Sequence, residues 1–150
     1  MMVIDVHTFA AVSAAACGAV VLVATKGTLF HRWAGRMYVG ALSVMVLCSL
    51  WIYEIRDGPS VFHGISLVVV ALMGYGTMQA KLRRRRDWPR RHGAAMQTTL
   101  LLLIVTGTAQ FFDELPLPHD ALNAIIFLQL PLIVGFVAIV RGWRRAPRVQ

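Results

Sequence analysis

Five stretches of this chain run for 17 to 20 residues each without an Asp, Glu, Lys or Arg: Val6 to Thr25, Met37 to Tyr53, Val61 to Ala80, Gly93 to Phe112 and Ala121 to Val140. A helix rises 1.5 Å per residue, so runs of this length match the roughly 30 Å hydrocarbon core of a bilayer. In lipid every backbone N–H and C=O must be satisfied within the segment, which makes each run a helix. Composition agrees: 57% of the 150 residues are hydrophobic, 15% are charged, and the mean hydropathy is +0.64. A water-soluble fold of this size has no core large enough to hide that much apolar surface.

The links between the runs are short. Lys26 to Arg36, Glu54 to Ser60, Lys81 to His92 and Asp113 to Asp120 are broken by Gly27, Gly58, Pro59, Pro89, Pro116 and Pro118. Consecutive helices are therefore expected to be antiparallel neighbours. The expected fold is all-α: residues 1–150 form a single transmembrane domain, an integral membrane bundle of five transmembrane helices, the first four making an up-and-down four-helix bundle with the lipid bilayer as solvent.

Charge orients this arrangement. The net charge is +8, and fourteen of the fifteen basic residues fall on one side, in Lys26 to Arg36, Lys81 to Arg91 and Arg141 to Arg148. Arg56 alone lies opposite, together with six of the seven acids. The positive-inside rule then puts the N-terminus outside and the C-terminus in the cytoplasm. In a soluble protein such a basic excess points to nucleic acid, but an eleven-residue loop supplies no reading fold, so no nucleic-acid partner is expected. The run from Lys81 to Arg91 reads as a topogenic cytoplasmic loop touching anionic lipid headgroups, worth about 1 kcal/mol per basic residue near the surface.

The first run lacks the basic start of a signal peptide and carries Asp5 instead, so it is expected to stay in the mature chain. Cys17 follows an Ala stretch without the features of a lipoprotein box. Cys17 and Cys48 both sit in apolar runs and give no disulfide framework.

There is no phosphate-binding Gly-rich loop, nucleophile elbow, paired intramembrane carboxylates or His-Glu-x-x-His helix, which argues against hydrolase or kinase chemistry. Histidine carries the one chemical pattern. His7 begins the first run, His31 precedes the second, His63 begins the third, His92 begins the fourth and His119 precedes the fifth. With alternating helix direction, His7 and His63 fall near the outer face and His31 and His92 near the inner face.

Such an arrangement suits haem b, one or two per chain, each held by two imidazoles, with His7 paired to His63 and His31 to His92. Arg32, Arg36, Arg90 and Arg91 are then available for inner propionates. This reading makes the chain an electron-transfer protein with a quinone or redox-protein partner. Copper on His92 and Met96 is a variant of it. The alternative is a scaffold, accessory subunit or small transporter without cofactor, whose histidines merely sit at helix ends and whose arginines fix topology; either class admits a homo-oligomer. His119, beside Asp120 and between prolines, reads as a solvated loop residue.

The segment Lys26-Gly27-Thr28-Leu29-Phe30-His31-Arg32-Trp33-Ala34-Gly35-Arg36-Met37-Tyr38 resembles the Lys-Gly-Thr-x-x-His-Arg-x-x-Gly-x-x-Tyr signature of a bacterial membrane-protein family catalogued as domain of unknown function 2306. His7, Phe62-His63 and His92 with Met96 match that family's other recurrent positions in order and approximate spacing, over about the first 112 residues. The resemblance implies a polytopic helical bundle of the bacterial cytoplasmic membrane in which these four histidines are characteristic positions. Their arrangement is also similar to that of two-haem b-type membrane cytochromes. The chain departs from the pattern at Gly93, where a basic residue is expected after the histidine, and in having a fifth run.

Overall fold

The structure, a computed structural model, describes residues 2–52, 61–110, 112 and 120–145. Among these all regular structure is helical: α1 (Met2–Val23), α2 (Leu29–Ser49), α3 (Val61–Leu82), α4 (Trp88–Gln110), α5 (Ala121–Ala124), a π-helical turn (Ile125–Gln129) and α6 (Leu130–Arg145). Arg56, Glu54, Asp57, Asp113, Glu114, His119 and Arg148 lie outside the described residues. Three helical segments, Met2–Val23, Val61–Leu82 and Leu122–Gly142, are long and apolar enough to cross a membrane. The helices α2 and α4 are of similar length, at 21 and 23 residues, but open on charged turns.

Those charged turns are where the helix starts differ from the apolar runs. The helix α2 begins at Leu29 and takes in Arg32 and Arg36, while α4 begins at Trp88 and takes in Pro89, Arg90 and Arg91. Proline is tolerated there because a first-turn N–H has no intrahelical partner to lose. Long basic side chains lay their stems along the helix and keep their heads in a polar layer, so charge ends an apolar run without ending the helix.

The chain forms two compact units, Met1–Ala71 and Leu72–Gln150, with α3 running through the boundary. In the first unit α1 packs on α2. The buried residues of α1 are Ala10, Ala14 and Gly18, one turn apart, whereas Phe9 and Val12 are exposed. The buried face of α2 carries Tyr38, Leu42, Met45 and Val46. This inversion, with small residues inside and large apolar ones outside, is the economy of a helix pair in lipid, where close backbone approach and dispersion replace the hydrophobic effect. Beyond α2, the Ser49 and Ser66 hydroxyls lie 2.8 Å apart and tie the end of α2 to α3.

The turn between α1 and α2 is built from the Lys-Gly-Thr triplet. Lys26 Nζ donates to the carbonyls of Val21 and Leu22, both at 2.7 Å, covering orphan acceptors at the end of α1. Gly27 takes φ +82°, the left-handed conformation that reverses the chain after a helix. Thr28 caps α2: its Oγ1 donates to the Thr25 carbonyl at 2.8 Å and accepts from the His31 backbone N–H at 3.1 Å.

In the second unit the turn between α3 and α4 also spans five residues, with Arg83 in the left-handed region at φ 49°. The Arg83 guanidinium lies 4.9 Å from the Trp88 ring centroid. The helices α4 and α6 pack together. They meet closely at Gly135, where a Cβ would stand 2.6 Å from Leu101 Cδ1. Asp120 accepts from the Asn123 N–H at 2.8 Å and opens the last helical stretch, whose π-helical turn ends just before Pro131.

Candidate functional site

Because α1 and α4 start earlier than the apolar runs, two histidines lie deeper than the first turn. His7 is the sixth residue of α1 and His92 the fifth of α4, while His31 and His63 are each the third residue of their helices. All four are half-buried.

His7 and His92 share one local arrangement. His7 is followed along α1 by buried Ala10, Ala14 and Gly18. His92 is followed along α4 by buried Ala95, Thr99 and Leu103 at the same intervals of three, four and four residues. Each ring therefore heads the stripe on which its helix packs. His7 Nδ1 lies 2.9 Å from the Met45 carbonyl oxygen near the end of α2. His92 Nδ1 lies 2.8 Å from the Gly76 carbonyl oxygen near the end of α3.

Helix direction explains both contacts. Carbonyls point toward a helix C-terminus, so those in the closing turns of one helix aim at a ring in the opening turns of its antiparallel neighbour. A carbonyl can only accept, so Nδ1 is the protonated nitrogen in both rings. In the neutral ring Nε2 then carries the lone pair and the ring plane is fixed by the bond, which is the arrangement found behind metal-bound imidazole.

His63 stands three residues before Ser66 on the same face of α3, and Ser66 bonds Ser49, one turn beyond Met45 on α2. The closing turns of α2 thus hold the His7 ring and, through Ser49, the α3 residue three places after His63. His31 lies in the first unit and His92 in the second. Among the described residues no three of His, Cys, Asp and Glu come together as a metal-ion site; two axial imidazoles do not require such a cluster.

The arginines are differently engaged. Arg32 and Arg36 are exposed on α2, and the Arg36 guanidinium lies 5.1 Å from the Trp33 ring centroid. Arg91 Nε donates to Asp87 Oδ2 at 2.7 Å and Nη1 donates to the Tyr75 hydroxyl at 3.2 Å. The hydrogen bond from Arg91 holds the Asp87 carboxyl below its ordinary range, and the bonds to Tyr75 and Asp87 raise Arg91 further. Lys81 and Arg83 to Arg86 are exposed. Met96 places its sulfur against Gly76, 2.9 Å from where a Cβ would be.

Sequence reading did not single out Gly76, Tyr75 or the Met45 carbonyl. Two of them act through main-chain oxygens, which any residue type supplies. The signal for the third was a tyrosine hydroxyl six residues before the basic link that begins at Lys81.

No curated protein and no solved structure matches the chain. The family model DUF2306, described as predicted membrane protein, matches residues 4–143, so it takes in the last helix as well as the histidine-bearing helices. With nearly its whole length matched, the chain belongs to the DUF2306 family of predicted membrane proteins.

Proposed function

We propose that this chain is a membrane-embedded b-type haem protein that passes electrons. One observation carries the reading: the Nδ1 atoms of His7 and His92 are held at 2.9 and 2.8 Å by main-chain carbonyls, leaving Nε2 as the ligating nitrogen. Haem, when bound, supplies one-electron exchange at iron. The chain's own residues bind and orient: His7, held by the end of α2, and His63 are the outer ligands, and His31 and His92 are the candidates for the inner layer.

In this reading the five helical stretches all span the cytoplasmic membrane of a bacterium, the first four as a bundle. The N-terminus lies outside, and a quinone or redox protein exchanges electrons with the chain. The exposed cations from Lys81 to Arg86 face anionic headgroups. Arg32 and Arg36 are the freer candidates for a propionate, since Arg91 is already engaged by Asp87 and Tyr75.

The test is a dithionite-reduced minus oxidised spectrum of detergent-purified protein expressed with haem supply, with pyridine haemochrome stoichiometry. A sharp low-spin b-type band near one or two haems per chain supports the reading, and its removal by His7→Ala or His63→Ala assigns the outer site. A second reading, a scaffold without cofactor, is favoured by the Lys26 and Thr28 contacts, which account for part of the signature motif as helix caps. A featureless spectrum selects it.

A further inference from the structure

We infer that Gly76 is the positioning residue that fixes the ring tautomer and orientation of His92; only its bearing on haem rests on His92 being a ligand. Gly76 is buried on α3. A Cβ at this position would meet Met96 Sδ at 2.9 Å and Ala95 Cβ at 3.1 Å. The absent side chain is thus what lets the α3 backbone approach α4 at Ala95 and Met96. One turn back along α4 from Met96 is His92, and the Gly76 carbonyl reaches its Nδ1 at 2.8 Å. The steric contact and the hydrogen bond belong to the same residue, so the approach and the tautomer are set together.

Tyr75, beside Gly76 on α3, is exposed, and its hydroxyl accepts from Arg91 Nη1 at 3.2 Å, a bond to the first turn of α4 made by a side chain. At His7 the acceptor is the carbonyl of Met45. The glycine device therefore belongs to His92, and the two histidines respond differently to substitution at position 76.

A carbonyl partner on Nδ1–H raises the basicity of Nε2, and losing such a partner costs about 10- to 100-fold in metal affinity. Gly76→Ala is expected to push α3 from α4 at this point, lengthen the Nδ1 contact, weaken haem retention by about that factor and move the potential of the His92 site to more positive values. The double variant Gly76→Ala with Met96→Ala removes the closest atom in the way, leaving Ala95 Cβ at 3.1 Å, and is expected to restore part of the loss.

The experiment uses the full-length protein in detergent with ¹⁵N-labelled histidine, His92 being assigned by its disappearance in His92→Gln. Without haem, the wild type is expected to show the His92 proton on Nδ1, Gly76→Ala to show it redistributed toward Nε2, and the double variant to recover it in part, with the His7 signal unchanged throughout. A wild-type His92 protonated on Nε2 overturns the inference without any variant. So does a Gly76→Ala protein of unchanged helicity that keeps the proton on Nδ1, or a loss that Met96→Ala does not lessen. With haem, the potential of Gly76→Ala gives the second readout. A protein that takes up no haem but shows the expected tautomers defeats the haem proposal and leaves the role of Gly76 standing.

Discussion

The Ser49 and Ser66 hydroxyls meet across α2 and α3. The two Oγ atoms are 2.8 Å apart, and Ser49 Oγ also lies 2.7 Å from the Val46 carbonyl, which can only accept; with the Ser49 proton on Val46, Ser66 is the expected donor between them. This one bond ties α3 to the end of α2, one turn beyond the Met45 carbonyl that holds His7.

The direction of that bond makes two conservative substitutions unequal. Ser66→Ala removes a donor and leaves Ser49 bonded to Val46, at a cost of about 0.5–1 kcal/mol. Ser49→Ala strips the acceptor from a buried hydroxyl, at a cost of about 1–2 kcal/mol. Equilibrium unfolding in mixed micelles should rank Ser49→Ala as the more damaging; the reverse order would mean the proton runs the other way.

At the first hairpin, Thr28→Ala should cost about 0.5–2 kcal/mol through loss of the cap on the His31 N–H, and Thr28→Ser should recover most of it. Gly27→Ala, at φ +82°, should cost about 1 kcal/mol from backbone strain. Amide exchange at residues 29–32 reads both: faster exchange in Thr28→Ala but not in Thr28→Ser is the expected pattern.

Asp87 titrates lower when folded than when unfolded, because Arg91 bonds the charged form. Its contribution is therefore present above the unfolded carboxylate range and fades as pH falls through the depressed folded value. Thermal melts of wild type and Asp87→Asn should differ at pH 7 and converge toward pH 3. A gap that persists in acid would show that the ion pair is not its source.

Where α4 meets α6, Gly135→Ala would set a Cβ 2.6 Å from Leu101 Cδ1 and 2.9 Å from Cδ2, a clash at the end of a flexible side chain. The expected penalty is about 1–3 kcal/mol. Leu101→Ala on the Gly135→Ala background should return part of it, measured by the same micelle unfolding. Failure of the pair to couple would place the penalty elsewhere.

Much of this architecture was legible in the sequence, and the misplaced parts have physical causes. Apolar runs located the helices because lipid selects composition over many residues at once. They misplaced the starts of α2 and α4, since Arg32, Arg36, Arg90 and Arg91 end an apolar run without breaking backbone hydrogen bonding. Histidine order was visible, but its depth was not: the early starts of α1 and α4 move His7 and His92 into the second turn.

The Lys-Gly-Thr triplet was recognisable as a motif while its work was hidden, for Lys26 and Thr28 act on backbone groups. Gly76 was one of twelve glycines, and only the packing of α3 on Met96 sets it apart.

The π-helical turn at Ile125–Gln129 acts as a phase shifter. It accommodates one residue more than an α-helical turn would, and each residue of an α-helix advances the azimuth by about 100°. Everything from Leu130 onward is rotated by that step relative to an uninterrupted helix, and this rotation is what turns Gly135 toward Leu101. Removing a single residue between 125 and 129 would take out the one the wide turn accommodates, leaving a regular helix with Gly135 still on α4; forcing the same residues into α-helical turns without a deletion would instead swing the downstream half through more than a quarter of a circle.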